Sequence, residues 1–204
     1  MRRLMLLRHA KSDRPPGIAD HDRPLNRRGR DEAPLVGTYL AHNGLVPDRV
    51  LCSTSERTRE TWELVAGSLA DAVPPAAGPS AAAPNAGAPK PAGKKGRRSP
   101  KRPQVDFEER LYVAEPHTIL ALLRETPPKV HSLLIVGHNP GIHEAALALI
   151  ASGDVEARER LHEKFPTSGL AVIDFALDEW TKLHARSGRL DRFITPRQLA
   201  VEPE

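Results

Sequence analysis

A short apolar run at residues 4–7 ends abruptly in a charged pair, Arg8 and His9. Consecutive apolar residues bounded by polar ones are typical of a strand buried on both faces, as in a parallel sheet covered by helices. Arg8 and His9 then lie at the carboxyl end of that strand, where ligands bind in open α/β sheets. A fixed cation beside a neutral imidazole favours an anionic ligand. Taken alone, the same pair also fits a solvated strand end.

A second run of the same kind lies far along the chain. Ser132–Gly137 is apolar in its interior and is followed directly by His138. Because parallel strands end at one edge of a sheet, we expect His9 and His138 to lie close together. Strands alternate with helical patterns along most of residues 1–204. This alternation predicts a single α/β domain with a mostly parallel sheet and helices on both faces.

The other predicted elements follow from hydrophobic spacing and capping residues. Asn26 caps one helix, which Pro34 interrupts and Asn43 ends. Further helices are predicted at 56–72, from Pro116, at 140–151 and at 155–164. Further strands are predicted at 48–52, 105–107, 170–175, 180–183 and 190–194.

The net charge of +4 is concentrated in one segment. Residues 74–104 contain seven Lys or Arg and no Asp or Glu, so the rest of the chain carries −3. The segment is also rich in Pro, Ala and Gly, and burial of its side chains cannot offset its ordering entropy. We therefore predict that 74–104 is a disordered insertion. It could contact nucleic acid or an anionic surface, but its lack of aromatic residues argues against base stacking and favours an inert linker.

Composition also restricts the compartment and the cofactors. Cys52 is the only cysteine, which excludes an intramolecular disulfide framework and a cysteine-based zinc site. Since there is no leader-like apolar segment and no apolar run of about 18 residues, we expect a cytoplasmic protein without a membrane span. His138 and His143 are five residues apart and no HExxH pattern occurs, so no metal or other cofactor is expected. The oligomeric state stays open.

Four motifs occur in order along the chain: LRHA at 7–10, RPLNRRG at 23–29, VLCS at 50–53 followed by Arg57 and Thr61, and VGHNPG at 136–141. Together they resemble the histidine phosphatase superfamily, in particular its small SixA-type branch of phosphohistidine phosphatases. The resemblance covers nearly the whole chain except the insertion. It implies the histidine phosphatase fold and a phosphohydrolase that works without a metal ion.

The resemblance also implies roles for individual residues. His9 matches the nucleophile, which becomes transiently phosphorylated. Arg8 and Arg57 match arginines that hold phosphoryl oxygens, and His138 matches the second histidine of the same pocket. Guanidinium groups bind phosphate bidentately, and their positive charge favours the neutral imidazole that can attack phosphorus.

The proton donor is the open assignment. Glu109 is the position most similar to the carboxylate that larger members of the superfamily use. The alternatives are four other acids, Asp20, Asp22, Asp106 and Glu108. Phosphohistidine has a good leaving group once its imidazole is protonated, so an ambiguous acid favours this substrate over an alkyl phosphate.

The sequence thus predicts a phosphohydrolase that acts through a phosphohistidine intermediate, with a phosphohistidine protein as its substrate and partner. A phosphatase of small phosphorylated metabolites or nucleotides is the alternative enzyme. A non-catalytic scaffold that binds phosphate, or binds nucleic acid through the basic segment, is the alternative outside enzymes.

Overall fold

The computed structural model of the chain describes residues 1–72 and 102–200. The strands of this part are, in chain order, β1 (Arg2–Arg8), β2 (Arg49–Ser53), β3 (Gln104–Glu108), β4 (Ser132–Gly137), β5 (Ile150–Gly153), β6 (Leu170–Phe175) and β7 (Gly188–Ile194). They form one sheet in the order β3-β2-β4-β1-β6-β7-β5. Four neighbouring pairs are parallel, and only β6 runs antiparallel to its neighbours β1 and β7. The sheet is therefore mostly parallel, as predicted.

The helices of the described residues lie between and after these strands. They are α1 (Arg27–His42), α2 (Glu56–Ala72), α3 (Pro116–Arg124), α4 (Gly141–Leu149), α5 (Val155–Glu163) and α6 (Pro196–Leu199). The predicted cap of α1 is confirmed, because the Asn26 side chain accepts a hydrogen bond from the Gly29 amide. The helix continues through Pro34 and ends at His42, with Asn43 as its C-cap. No helix in residues 1–72 and 102–200 is long and apolar enough to cross a lipid bilayer.

Strand β1 lies between two apolar cores. Leu4 and Leu6 belong to the core that contains the apolar faces of α3, α4 and α5. Met5 and Leu7 belong to the core that contains those of α1 and α2. Successive side chains of a strand point to opposite faces, so this apolar run is buried on both sides. The predicted fold class, a mostly parallel sheet with helices on both faces, is confirmed.

The structure corrects three of the predicted boundaries. The insertion predicted at 74–104 lies outside the described residues up to position 101, but Gln104 is already the first residue of β3 and pairs with Arg49 of β2. The helix predicted at 140–151 ends at Leu149, and Ile150 begins β5. Residues 180–182 form a 3-10 turn instead of a strand, because the Leu183 amide donates back to the carbonyl oxygen of Trp180 at 3.0 Å. The buried Trp180 indole donates to the carbonyl oxygen of Val130 at 2.7 Å.

Candidate active site at the carboxyl ends of three strands

The register of the sheet brings the two histidines together. β1 and β4 are parallel neighbours in which Arg8 pairs with Gly137, so His9 and His138 are the next residues on both strands. The His9 amide donates to the Gly137 carbonyl oxygen at 3.1 Å, and the two imidazole centroids are 5.2 Å apart. Both residues are buried, with 8% and 5% of their surface exposed. The expected proximity of these histidines is confirmed.

The ring of His9 is oriented by the backbone of the next residue. Its Nδ1 lies 2.8 Å from the carbonyl oxygen of Ala10. A carbonyl oxygen can only accept, so Nδ1 carries the ring proton and Nε2 keeps its lone pair. Burial, followed by the charges of Arg57 and Arg8, lowers the pKa of His9 to about 4. The imidazole is therefore neutral at neutral pH, and Nε2 is its nucleophilic atom.

The ring of His138 is held by Ser53, the last residue of β2. Ser53 Oγ lies 2.8 Å from Nε2 of His138. Nδ1 of His138 is buried and has no hydrogen-bond partner among the described residues. When the Ser53 hydroxyl donates to Nε2, the ring proton is on Nδ1 and can be donated to a bound anion. Burial and the nearby His9 lower the pKa of His138 to about 3, so this ring is also neutral.

Arg8 extends from the last position of β1 and is anchored at one end. Its Nη1 donates to the carbonyl oxygen of Phe165 at 2.8 Å. Its Nε is buried and has no partner within the part of the chain that the structure describes. Burial lowers the pKa of Arg8, but a guanidinium group stays charged at neutral pH. Arg8 therefore keeps one buried, charged donor that no described residue uses.

Arg57 reaches the site from the first turn of α2. Its Nη1 donates to the carbonyl oxygen of Asp20, and its Nη2 donates to the Asp20 carboxylate at 3.0 Å. Arg57 Cζ also lies 5.9 Å from the ring centroid of Tyr112. Tyr112 in turn stands edge-on to His138, with ring centroids 5.6 Å apart. Arg57 and the two histidines thus line a single site.

Asp20 lies beside this site in a 3-10 turn, Asp20–Asp22, of the loop that follows β1. Its carboxylate accepts hydrogen bonds from the Tyr112 hydroxyl at 2.8 Å and from Arg23 at 2.7 Å, in addition to Arg57. The Tyr112 hydroxyl, followed by Arg23 and Arg57, holds the pKa of Asp20 well below its usual range. The side chain is 53% exposed. Asp20 is thus an ionised carboxylate at the solvent edge of the site.

Glu109 is not brought into this group by any contact in residues 1–72 and 102–200. It is exposed on a 3-10 turn, Glu109–Leu111, and its side chain has neither a hydrogen bond nor an ion pair there. The turn buries Leu111 and leaves Glu109 in solvent, and Tyr112, the residue after the turn, contacts His138. The assignment of Glu109 as proton donor stays a prediction without a supporting contact.

The other candidate proton donors differ in the side chains that they contact. Three of them are paired with other side chains, Asp106 with Arg49, Glu108 with Arg110 and Asp22 with His21. Asp20 alone among the five candidates contacts Arg57. Of the carboxylates considered from the sequence, Asp20 is therefore the one that the described structure places at the site.

Ser53 and Tyr112 are site residues that the sequence analysis did not identify. Ser53 lies in the VLCS motif, and the signal was available, because β2 is predicted to end at the same edge of the sheet as β1 and β4. Tyr112 follows a short turn between β3 and α3. Hydrophobic spacing carries no information on the direction of such a turn, so no sequence signal could have found Tyr112.

Comparison with known proteins gives consistent matches. Residues 4–77 match the family model described as the histidine phosphatase superfamily, branch 1. An uncharacterised protein of Mycobacterium tuberculosis is 37% identical over 193 residues, which cover 94% of this chain and 100% of that protein. A crystal structure from Agrobacterium tumefaciens, described as a candidate phosphohistidine phosphatase SixA, is 28% identical with a TM-score of 0.67 and covers 96% of this chain and 98% of its own. A structure from Nakamurella multipartitia with the same description is 25% identical with a TM-score of 0.71 and covers 96% of both chains.

The matched regions include the residues of the site. The family match begins in β1 and continues beyond α2, so it contains Arg8, His9 and Arg57. His138 lies beyond it, and the two solved structures extend the similarity over nearly the whole chain. These similarities and the geometry of the site show that the chain belongs to the histidine phosphatase superfamily, in its SixA-type branch, and is a phosphatase.

Proposed function

We propose that the protein hydrolyses phosphohistidine in a protein substrate, through a phosphorylated His9 and without a metal ion. The observation that carries the proposal is the state of the His9 ring. Its Nδ1 is used by the Ala10 carbonyl, its Nε2 is left with a lone pair, and its lowered pKa keeps it neutral. A neutral, oriented imidazole between two arginines is equipped to attack a bound phosphoryl group.

The proposed reaction has two steps. First, Nε2 of His9 attacks phosphorus in line, and the bond between phosphorus and the leaving group breaks with its electron pair going to the leaving group, which takes up a proton. Second, water attacks the phosphorus of phosphorylated His9 and gives up a proton to solvent, the phosphorus–nitrogen bond breaks with its electron pair returning to Nε2, and phosphate leaves. Arg8, Arg57 and the Nδ1–H of His138 stabilise the charge on the equatorial oxygens in both steps.

The surroundings of the site support an activated substrate. Among the residues that the structure describes, the carboxylate that contacts Arg57 is Asp20. Because its pKa is lowered, Asp20 is ionised in the free enzyme and has no proton to donate. Glu109 is exposed without a contact to the site. A phosphohistidine leaves easily once its own ring is protonated, so it needs less help from an enzyme acid than an alkyl phosphate does. Two similar structures are also described as candidate phosphohistidine phosphatases.

A substrate comparison tests this proposal. We expect kcat/KM for a phosphohistidine protein to exceed that for a phosphoserine peptide or a panel of sugar phosphates by about 100-fold, in the presence of EDTA. Acid-labile, alkali-stable phosphate should be trapped on the wild-type enzyme. Equal rates on all substrates, or a preference for a sugar phosphate, would indicate the alternative function of a metabolite phosphatase.

The matched variants are His9→Ala and His42→Ala. His42 is an exposed histidine at the end of α1, away from the strand ends that form the site. His9→Ala should abolish both turnover and phosphoenzyme while its circular dichroism stays unchanged, and His42→Ala should behave as wild type. Turnover retained in His9→Ala would remove the proposed mechanism.

A further inference from the structure

The two arginines of the site differ in what their guanidinium groups contact. Arg8 uses Nη1 on a backbone carbonyl and keeps its buried Nε without a partner among the described residues. Arg57 has both terminal nitrogens on Asp20, one on the carbonyl oxygen and the other on the carboxylate. These nitrogens are the donors that would grip two phosphoryl oxygens. Arg57 is therefore already occupied by an anion that belongs to the chain.

The contacts of Asp20 can be exchanged without loss of the core. None of the residues in Asp20–Asp22 is buried, and the Asp20 side chain is 53% exposed. The base of the loop is closed by a bridge between Ser12 and Leu25, which does not depend on the contacts of Asp20. The hydroxyl of Tyr112 and the guanidinium of Arg23 hold the carboxylate in position between them.

We propose that Asp20 is an internal competitor for phosphate, whose carboxylate takes the place of a phosphoryl oxygen on Arg57 until the substrate displaces it. The proposal rests on the phosphate-binding role of Arg57 in the proposed function. Phosphate binding is then an exchange of anions. Its apparent affinity is the intrinsic affinity multiplied by the fraction of enzyme in which Arg57 is free.

Such an exchange makes Asp20 a specificity-determining residue. A monoanion offers Arg57 about the same hydrogen bonds as the carboxylate that it must displace, so it gains little. A phosphoryl dianion brings more charge and a third oxygen, which Arg8 and His138 can bind at the same time. The need to displace Asp20 therefore favours binding of phosphoryl dianions over binding of monoanions.

The test is calorimetric titration of inorganic phosphate into the wild type, Asp20→Asn and Asp22→Asn. Asp22 is the matched control, because it lies in the same turn, is exposed and pairs with His21 instead of Arg57. We expect Asp20→Asn to bind phosphate about tenfold tighter, since it no longer holds a charged competitor on Arg57. Asp22→Asn should bind as the wild type does, which separates displacement from a general change of charge.

A second variant tests the same exchange from the other side. Tyr112→Phe keeps the ring against His138 and removes the hydroxyl that holds Asp20, so phosphate should bind about threefold tighter. A gain in affinity cannot come from damage to the site. Unchanged or weaker binding in Asp20→Asn overturns the proposal, because Asp20 would then be neutral or would position Arg57 for phosphate.

Arg57→Ala distinguishes this failure from failure of the proposed function. One possible outcome is that the wild type binds phosphate, that Arg57→Ala weakens this binding and that Asp20→Asn does not tighten it. In that case only the proposal of Asp20 as an internal competitor is wrong. If phosphate binds equally to the wild type and to Arg57→Ala, Arg57 is not a phosphate ligand, and both the internal competitor and the role of Arg57 in the proposed function are wrong.

Discussion

The site has two regions that are held in different ways. The first, which we call the floor, consists of residues at or just after the ends of central strands, Arg8, His9, Ser53 and His138. The second, the rim, consists of Asp20 and Tyr112, which lie in or next to short turns. Backbone register fixes the floor, and its buried Arg8 Nε and His138 Nδ1 lack partners among the described residues. Side-chain contacts between partly exposed groups hold the rim. The difference fits the two proposals above, in which the floor carries the chemistry and the rim controls access of phosphate.

The largest effect is expected from a change to the floor that removes a fixed charge. Arg8→Ala should lower kcat/KM on a phosphohistidine protein by about 100- to 1,000-fold, because a buried donor to the phosphoryl group is lost. Arg8→Lys should restore little of it, since an ammonium group lacks the planar fork. Arg189→Ala, an exposed position on β7, is the control. An Arg8→Ala enzyme within tenfold of wild type would contradict the role of Arg8 as a donor to the phosphoryl group.

A graded effect is expected from the second histidine and the serine that holds it. His138→Ala should lower kcat by about 100-fold, because a donor to the transferred group is lost. Ser53→Ala should lower it by about tenfold, since the ring stays but loses the partner that fixes its orientation. Steady-state kinetics with thermal unfolding as a fold control measures both. A Ser53→Ala effect larger than that of His138→Ala would show that Ser53 acts directly.

Low pH should destabilise the fold, because protons bind less readily to the two histidines of the floor than to unfolded histidines. The pKa of His9 is lowered to about 4 and that of His138 to about 3, whereas an unfolded histidine titrates near 6.5. Between pH 6.5 and 4 the unfolded chain therefore binds more protons, and stability falls as pH falls. From pH 7 to pH 5 the free energy of unfolding should drop by about 2 kcal/mol for each of the two residues.

Urea denaturation at both pH values measures this loss. His9→Asn with His138→Asn should show a smaller loss than wild type, because two neutral groups that resist protonation in the native state are gone. An equal loss in the variant would mean that other groups cause the acid sensitivity. The His42→Ala protein is the control for removal of an exposed histidine.

The smallest effect is expected from a change to Glu109, in the turn Glu109–Leu111 that precedes Tyr112. Glu109→Gln should change kcat/KM by no more than about twofold, since Glu109 is exposed and has no contact with the site within the described residues. Glu159→Gln, on the exposed side of α5, is its control. A loss of kcat/KM of tenfold or more in Glu109→Gln, together with a shifted alkaline limb of the pH profile, would establish Glu109 as the proton donor.

The sequence predicts the floor well because its residues follow apolar runs. His9 and His138 each come directly after a strand that is readable from its composition, and parallel pairing then brings them together. The strand Ser132–Gly137 and the helix Glu56–Ala72 are found at the predicted residues for the same reason, since each has a clear hydrophobic period and clear boundaries.

The rim could not be predicted in the same way. Asp20 was one of five acids, and only the three-dimensional course of the loop distinguishes it from Asp22, two residues away. Tyr112 is directed by a turn between β3 and α3, and turns of this kind carry no periodic signal. Residues 150 and 151 are predicted as helix but belong to β5, and residues 180–182 are predicted as strand but form a 3-10 turn. Segments this short do not carry enough periodicity to distinguish one element from another.

The position of β4 in the sheet has a consequence for how the enzyme becomes active. β1 and β2 follow each other along the chain, yet they are separated in space by β4, which is synthesised about 80 residues after β2. An N-terminal fragment that stops before β4 lacks the strand that joins β1 to β2. In such a fragment His9 has neither the Gly137 carbonyl oxygen that accepts from its amide nor His138 beside its ring. We therefore expect the proposed site to form only once β4 has joined the sheet, so a chain cut before Ser132 should be inactive.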